Sequence, residues 1–360
     1  MPHEPSARPA AAAVQPPSTV SDPPRRWGPD APPSPYPDPD VVVVEPEFSA
    51  LLVSNTPLQR LWTGSLWAEG PAWSGQGRYL VFSDVGGDAQ YRWLQDDGRV
   101  TPCRVPSRHS NGNSFDFQGR QLSCEHFTRR VVRWEHDGSL TVLAEAYDGK
   151  RLNSPNDLVP HPDGSVWFTD PPYGNSLYEG QPDEGGALRP RLGAPDGGGQ
   201  RQELPTAIYR IDPGGRIDRV ADELDRPNGL CFSPDYRRLY VADTSPGPRD
   251  LKVFDVVDDT RLANGRVFSD LFVDGIKCGP DGLRADVYGN LWCASNARRE
   301  GLGYHGVLVF TPEGQLLGRI RLPEACANVC FGGPRRNRLF MTASQSLYAL
   351  YVNTQGATPG

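Results

Sequence analysis

The chain has 360 residues, enough for a large core, and its 37% hydrophobic and 22% charged composition is that of an ordinary folded protein. A net charge of −7 argues against a protein that binds nucleic-acid backbones through a basic face. No apolar run is long enough to span a bilayer, since the longest, such as residues 41–44, has the length of a strand. We therefore expect neither nucleic acid nor membrane among its partners.

The N-terminal segment is rich in Pro, Ala, Ser and Asp and has no apolar periodicity. It predicts a disordered tail over residues 1–38 and a folded domain over residues 39–360, so removal of the first 35 residues should change stability little. Arg25 and Arg26 precede polar, Pro-rich sequence rather than the apolar stretch of an export signal, which favours a cytoplasmic protein.

Six repeated segments dominate the rest of the chain. Short β-branched or aromatic runs are separated by turn signals, with 39 Gly and 37 Pro in total, and long amphipathic helices are missing from the pattern. Each segment has a polar residue, an apolar pair, a turn and a second apolar strand. The aligned polar residues are Glu69, Asn113, Asn156, Asn228, Asp281 and Asn328. Six such units predict an all-β, six-bladed β-propeller, whose innermost strands line a central channel.

Two segments of this propeller stand apart. The longest step between repeats holds a Gly- and Pro-rich insertion at residues 177–204, which predicts a loop that could act as a lid. Residues 41–44 are expected to supply a strand that closes the ring against the last blade.

Seven cysteines at scattered spacings match neither a disulfide framework nor a zinc pattern, so we expect mostly buried, reduced thiols.

The aligned polar residues also predict a metal site. Equivalent residues of all blades lie at one height, so their side chains can point at one axial spot, and all six are oxygen donors. Glu69 and Asp281 would balance the charge of a divalent cation and would repel each other without it. Calcium is favoured, with magnesium, manganese or zinc possible. A single Asn-Gly or Asp-Gly pair is more often a turn, and Asn113 and Asn328 could be such turn residues.

The repeats resemble those of the senescence-marker-protein/gluconolactonase/luciferin-regenerating-enzyme family, in its bacterial gluconolactonase branch. The motifs that carry the resemblance are EGPAW at 69–73, NGNSFDFQGRQLSCEH at 111–126, NSPNDLV at 153–159, WFTDPPYG at 167–174, RPNGLCFSPD at 226–235 and PDGLRADVYGNLWCAS at 280–295. The resemblance covers the chain from about residue 39 onward. It implies a six-bladed propeller with one catalytic divalent cation, usually calcium, on the axis. It implies as metal ligands Glu69, Asn156, Asn228 and Asp281.

One position departs from the family pattern. The resemblance implies an Arg two residues before the second ligand in the animal sugar lactonases, where this chain has Ser154. Fold and metal are shared across such a family while specificity is local, so the substrate stays open between a sugar lactone and another ester-like molecule.

These residues predict a metal-dependent lactone hydrolase of the gluconolactonase type. The cation would polarise the lactone carbonyl, and a carboxylate would activate water. Asp281 is the first candidate for this base, although it could be a ligand only, and Asp157, Glu125 and His126 are the alternatives. We expect the substrate to contact Asn113, Glu125, His126 and Asp157.

Two alternatives to a lactonase remain. One is an organophosphate or aryl-ester hydrolase on the same site, and the other is a non-catalytic binding propeller stabilised by calcium. His126 could equally be a histidine satisfied on a blade surface, and Arg129 and Arg130 are predicted to lie at a solvated strand end.

Overall fold

The computed structural model describes residues 25–28, 30–176, 202–247, 249–296 and 304–358. These residues form six antiparallel sheets, each of four or five strands, together with two short hairpins. The innermost strands contact one another in sequence order and close a ring, the last contacting the first. The predicted six-bladed β-propeller is confirmed.

The blades are numbered in chain order of their innermost strands. Blade 1 holds Ala68–Ser74, Tyr79–Asp84, Ala89–Leu94 and Val100–Arg104; blade 2 holds Ser110–Phe115, Gln121–Glu125, Arg130–Trp134 and Leu140–Ala144; blade 3 holds Leu158–Pro160, Val166–Asp170, Ala207–Ile211 and Ile217–Ala221. Blade 4 holds Pro227–Phe232, Arg238–Asp243, Leu251–Val257 and Arg261–Ser269; blade 5 holds Gly279–Ala285, Leu291–Asn296, Gly306–Phe310, Leu316–Arg321 and Val41–Val43; blade 6 holds Cys326–Gly332, Arg338–Ala343, Ser346–Tyr351 and Gln59–Thr63.

Aromatic side chains fill the spaces between blades. Trp73 of blade 1 stacks on Phe340 of blade 6 with ring centroids 5.9 Å apart. Trp167 of blade 3 meets Phe232 of blade 4 edge-on at 5.5 Å. Because both faces of each inner strand are covered, the strands Ala68–Ser74, Gly279–Ala285 and Cys326–Gly332 are buried along their whole length. Buried aromatic pairs of this kind hold the ring rigid around its channel.

The N-terminal strands close the ring differently from the prediction. Gln59–Thr63 pairs with Ser346–Tyr351 and completes blade 6, whereas Val41–Val43 pairs with Leu316–Arg321 at the outer edge of blade 5. Trp62 fixes the closing strand because its ring packs on Phe82 of blade 1, with centroids 5.6 Å apart. The prediction that residues 41–44 close the last blade was therefore wrong.

The predicted disordered tail ends earlier than residue 38. Residues 1–24 lie outside the described part of the chain, but the Arg25 guanidinium bonds to Asp38 at 2.9 Å and to Asp40 at 2.8 Å. Trp27 packs edge-on against Tyr348 of blade 6, with ring centroids 5.3 Å apart. The predicted boundary is wrong for this stretch, since a deletion through residue 35 would remove both contacts.

The remaining described elements are short. They are the 3-10 helices Pro46–Leu51 and Tyr173–Ser176 and two hairpins, Ala146–Tyr147 with Lys150–Arg151 and Phe272–Val273 with Ile276–Lys277. Residues 177–201 of the predicted lid lie outside the described residues. All seven cysteines are free thiols, six of them buried. No helix in the described ranges has the length and hydropathy needed to cross a membrane.

Candidate active site

In blades 4 and 5, a β-bulge near the start of the innermost strand contains the predicted ligand. In blade 4 the pairing skips from Pro227 to Leu230, and in blade 5 from Pro280 to Leu283, so each bulge contains an Asn-Gly or Asp-Gly pair. A Cβ atom on Gly229 would lie 2.5 Å from the Asp281 carbonyl oxygen. Glycine is thus required because neighbouring inner strands touch there. These dipeptides are inter-blade contacts rather than solvent-exposed turns.

The two acids among the predicted ligands are buried on the innermost strands of blades 1 and 5. Glu69 is 4% exposed and Asp281 is 6% exposed. Glu69 Oε2 accepts a hydrogen bond from the Gly70 amide at 3.0 Å, and Asp281 Oδ2 accepts one from Asn296 Nδ2 at 3.2 Å. Burial raises the pKa of the Cys326 thiol well above its usual value, and the negative charges of Asp281 and Glu69 raise it further. The Cys326 thiol is therefore neutral.

The two amides among the predicted ligands come from blades 3 and 4. The backbone of Asn156 is held on both sides, because its N–H donates to Thr169 O at 2.9 Å and its carbonyl accepts from Gly112 N at 2.8 Å. Thr169 Oγ1 in turn donates to the carbonyl oxygen of Asn228 at 2.7 Å. Burial, with a smaller effect of the negative charge of Asp281, raises the pKa of the Tyr173 phenol well above its usual value, so the phenol is neutral. The Thr169–Asn228 hydrogen bond ties blades 3 and 4 together beside the channel.

We call Glu69, Asn156, Asn228 and Asp281 the axial set. Its donors are two carboxylates and two neutral amides, the oxygen ligands that calcium, magnesium and manganese prefer. In the part of the chain that the structure describes, no group of three or more His, Cys, Asp or Glu side chains could hold a metal ion. A cation site here therefore depends on the amides, which argues against zinc.

Asp157 belongs to a different arrangement, contrary to its predicted role as a substrate contact or base. Its side chain is fully buried, and Oδ1 accepts from the Leu158 amide at 2.9 Å. Oδ2 faces Arg284 Nη1 at 3.4 Å and Asn328 Nδ2 at 3.2 Å. We call Asp157, Arg284 and Asn328 the buried plug. Both carboxylate oxygens of Asp157 are held by partners within the protein, which argues against its predicted role as a substrate contact or base.

Glycines make room for the buried plug. A Cβ on Gly112 would lie 2.5 Å from Asp157 Oδ1, and a Cβ on Gly282 would lie 2.0 Å from the Asn328 side chain. The ring residue Asn328 was predicted to point at the axial metal or to be a turn residue. It instead spans the channel to Asp157, and its Oδ1 accepts from the Val329 amide at 2.8 Å.

The strand register of blade 2 also corrects the prediction made for Asn113. The blade 2 bulge contains Asn111 and Gly112. A Cβ on Gly70 would lie 2.1 Å from the Asn111 carbonyl oxygen, just as a Cβ on Gly229 would lie too close to the Asp281 carbonyl oxygen. Asn111 is thus the blade 2 counterpart of the axial set. Asn113 is fully buried, and its amide is engaged by blades 1 and 2. Its hydrogen-bond partners are Gly70 O, Ser83 Oγ, Asn111 O, Gln90 Nε2, Gln121 Nε2 and Ser123 Oγ. These contacts leave its amide no capacity to bind substrate.

Glu125 and His126 sit behind the blade 2 bulge. Glu125 Oε2 is paired with Arg130 Nε at 2.6 Å, so its predicted role as a reserve base is disfavoured. His126 is completely buried, and its Nε2 lies 3.3 Å from Asn111 Nδ2. Burial, with a smaller effect of His109, lowers the pKa of His126 to about 3. The imidazole is therefore neutral and supports Asn111 rather than lying on a blade surface.

The loop before Asn156 is held by two residues whose roles the sequence did not reveal. Arg129 was predicted at a solvated strand end, but it is 3% exposed, and its Nε donates to the Asn153 carbonyl at 2.9 Å. Asp170, in the TD pair that ends the second strand of blade 3, accepts from the amides of Asn153 at 2.7 Å and Ser154 at 2.9 Å. Burial raises the pKa of Asp170 to about 7, against the effect of these hydrogen bonds.

Comparison with known proteins adds to this geometry. The family model described as the SMP-30/Gluconolactonase/LRE-like region matches residues 67–345 of this chain. A gluconolactonase of Zymomonas mobilis is 29% identical over 86% of this chain and 85% of its own length. The structure of a gluconolactonase from Xanthomonas campestris is 36% identical, with a TM-score of 0.74, over 91% of this chain and 98% of that one. A calcium-binding regucalcin from Agrobacterium tumefaciens shares the fold, with a TM-score of 0.63 at 20% identity over 82% of this chain and 94% of its own.

Proposed function

The chain belongs to the SMP-30/gluconolactonase/LRE-like family, and from this premise we propose that it is a lactonase that hydrolyses the ring ester of gluconolactone-like sugar lactones. The observation that carries the proposal is the axial set, in which Glu69 of blade 1 and Asp281 of blade 5 are acids buried on the innermost strands of the propeller. Buried carboxylates are costly in an inert scaffold and useful in a cation site. The gluconolactonases of Zymomonas mobilis and Xanthomonas campestris support the substrate class.

The axial set would hold one divalent cation, with calcium the first choice. Glu69 and Asp281 would supply two negative charges, and the carbonyl oxygens of Asn156 and Asn228 would complete the coordination without adding charge. When bound, such a cation supplies Lewis-acid polarisation of a carbonyl and stabilisation of a developing oxyanion.

Asp281 is the residue to which we assign proton transfer from the attacking water. The alternatives are weaker, because Glu125 and Asp157 are each paired with an arginine and His126 has a pKa near 3. The Asn296 amide, 3.2 Å from Asp281 Oδ2, would orient the carboxylate. Proton transfer by a positioned carboxylate contributes on the order of 10²-fold or more to kcat.

A substrate panel with controlled metal content tests the proposal. Glucono-δ-lactone should be hydrolysed with added calcium, and turnover should fall at least about 100-fold in chelator and return when calcium is restored. Phenyl acetate and paraoxon complete the panel, because preference for either would indicate an ester or phosphotriester hydrolase instead. Undiminished lactone turnover in chelator would refute the cation-dependent mechanism.

A matched variant separates the site from general effects of losing a buried acid. Asp286 is also a fully buried aspartate in blade 5, but its Oδ1 accepts from the Asn290 amide at 2.9 Å and its Oδ2 from Trp292 Nε1 at 3.2 Å. Asp286→Asn should lower stability without changing calcium dependence, whereas Glu69→Gln should weaken calcium binding.

A further inference from the structure

One position at the end of the second strand contacts the first bulge residue in two blades. In blade 5 the bulge follows the pair Pro280 and Ser295, so Asp281 is its first residue. Asn296, which comes next after Ser295, donates from Nδ2 to Asp281 Oδ2 at 3.2 Å. A side chain of the second strand therefore contacts the carboxylate that blade 5 contributes to the axial set.

Blade 2 repeats this arrangement with an amide and an imidazole. Its bulge follows the pair Ser110 and Glu125, so Asn111 is the first bulge residue. His126 comes next after Glu125, in the place of the blade 5 asparagine, and its Nε2 lies 3.3 Å from Asn111 Nδ2. Asn111 thus holds the position in blade 2, and makes the same kind of contact, that Asp281 does in blade 5.

The contact with His126 determines which end of the Asn111 amide is free. Nδ2 of Asn111 can only donate, so Nε2 of His126 accepts and the imidazole is neutral, with its proton on Nδ1. Among the residues that the structure describes, none hydrogen-bonds to Oδ1 of Asn111. Asn111 also keeps 4% exposure, whereas His126 has none. The amide oxygen is therefore left for a ligand that donates a hydrogen bond.

Ser154, where this chain departs from the family pattern, is not available for the same task. Its hydroxyl donates to the Pro171 carbonyl oxygen at 2.6 Å and accepts from the Gly174 amide at 2.8 Å. Its one proton is therefore used within the protein. A contact to a sugar hydroxyl is better supplied by an acceptor that the fold leaves open, as it does Oδ1 of Asn111.

We propose that Asn111 is a substrate contact whose amide oxygen accepts a hydrogen bond from a hydroxyl group of the sugar lactone, and that His126 is the positioning residue that holds this orientation. The inference rests on the proposed function, because it places the lactone at the axial set. A hydroxyl group can donate to the amide oxygen, whereas a lactone without hydroxyl groups has no such donor. Asn111 would therefore select polyhydroxylated lactones over plain ones.

The test compares two lactones at saturating calcium. Glucono-δ-lactone carries hydroxyl groups on its ring, and δ-valerolactone carries none. Asn111→Ala should raise KM for glucono-δ-lactone about fivefold, the effect of one lost hydrogen bond, and keep kcat/KM for δ-valerolactone within about twofold of wild type. A structural defect would lower both values alike, so the readout is the selectivity, defined as the ratio of the two kcat/KM values.

Variants of His126 test the positioning role. His126→Leu offers no acceptor, so the Asn111 amide can rotate, and the selectivity should fall about 3- to 5-fold. His126→Gln can present its own amide oxygen to Asn111 Nδ2 and should restore most of the selectivity. Because both residues act through one contact, the double variant Asn111→Ala/His126→Leu should be no more than about twofold less selective than Asn111→Ala.

His161 provides the matched control. It is also buried, and its Nδ1 lies 2.9 Å from Asp163 Oδ1. It follows the innermost strand of blade 3 at the end opposite to Asn156. His161→Leu removes a buried imidazole away from the axial set and should leave the selectivity unchanged.

Other outcomes overturn the inference. Equal losses with both lactones at unchanged calcium affinity would make Asn111 a structural residue. Calcium binding that calorimetry shows to be weakened by Asn111→Ala, with both lactones affected alike, would make Asn111 a cation ligand. Wild-type selectivity in Asn111→Ala, in a protein that hydrolyses lactones, would refute the inference and leave the proposed function intact.

A binding measurement decides the case in which the wild type hydrolyses neither lactone. D-Glucono-δ-lactam keeps the hydroxyl groups and replaces the ring ester by an amide, and its binding is measured by calorimetry with calcium present. Weaker binding by Asn111→Ala than by the wild type would support the inference and refute the proposed reaction. Equal binding by the two proteins, or no binding by the wild type, would refute both.

Discussion

Asn156 and Asp157 are neighbours in the chain, yet they belong to two regions of the channel with different chemistry. Asn156 is part of the axial set, which also contains the buried acids Glu69 and Asp281 and which we propose as the cation site. Asp157 is part of the buried plug, where its carboxylate faces Arg284 at 3.4 Å and is balanced within the protein. An acid balanced by an arginine serves the fold. Burial alone does not separate the two roles, since the acids of both regions are buried.

The largest expected effect comes from breaking the buried plug. Asp157→Asn leaves the Arg284 charge buried without its carboxylate, and Arg284 Nη2 already has no hydrogen-bond partner in the described ranges. The free energy of unfolding should fall by about 3–5 kcal/mol, measured by guanidinium denaturation. The double variant Asp157→Asn/Arg284→Met should recover most of this loss, because no unpaired charge remains. An Asp157→Asn protein of full stability but no lactonase activity would move Asp157 into the chemistry and break the comparison.

Removing the charge of an axial acid should lower kcat rather than the free energy of unfolding. Asp281→Asn keeps an oxygen donor but cannot accept a proton, so kcat should fall on the order of 10²-fold or more at saturating calcium. Stability in chelator should hold or rise, because the repulsion with Glu69 is relieved. The measurement pairs kcat with bound calcium for each sample. Near-normal turnover with calcium bound would leave Asp281 as a ligand only.

Two asparagines of blade 2 sharpen the same distinction. Asn113→Ala removes one hydrogen-bond partner from several buried groups, among them the Ser123 hydroxyl, which lies 2.6 Å from the amide oxygen, so stability should fall by about 2–3 kcal/mol. Its kcat/KM should change by less than about threefold, in place of the raised KM that its ring position suggests. Asn111→Ala should do the reverse, with a KM raised several-fold and a smaller change in Tm. Equal effects in both variants would show that the blade 2 bulge does not mark the site.

The repeats in the sequence were sufficient to predict the fold, and they select the four residues of the axial set, whose role as metal ligands stays a prediction. Their spacing fixes six units, and the dipeptides at Asn228 and Asp281 recur at one phase of the repeat. Blade 2 has the same bulge as blades 4 and 5, and its Asn111-Gly112 pair stands where Asn228-Gly229 stands in blade 4, so Asn111 rather than Asn113 holds the equivalent position. A bulge is set by contacts between blades, such as Gly70 against Asn111, which lie far apart in the chain.

Charged residues were the least predictable from sequence. Arg129 looks like a solvated strand end, since it lies in a polar turn, and only the folded chain shows that it bonds the carbonyl of Asn153. The same holds for Arg284, whose partner Asp157 is 127 residues away. Edge pairing was equally hidden, because Val41–Val43 can add to any open strand and the order of the edges is a tertiary property.

The smallest expected effect concerns pH and two buried groups, His126 beside Asn111 and Asp170 behind the loop that precedes Asn156. The folded-state pKa of His126 is about 3, below its value of about 6.5 in the unfolded chain, so the unfolded chain binds more protons between these values. His126 therefore makes stability rise as pH increases from about 3 to 6.5. The folded-state pKa of Asp170 is about 7, above its unfolded value of about 3.9, so the folded chain binds more protons and stability falls as pH increases from about 4 to 7. The slopes have opposite signs, each at most about 1.4 kcal/mol per pH unit, and they offset each other in the wild type.

His126→Gln should make the slope of unfolding free energy against pH more negative than in the wild type between pH 4 and 6.5, and Asp170→Asn should make it more positive. Denaturant melts at half-unit pH intervals measure both slopes. Parallel curves for the wild type and the two variants would mean that neither buried group titrates differently in the folded state, and the support behind Asn111 and Asn156 would then be a matter of packing rather than charge.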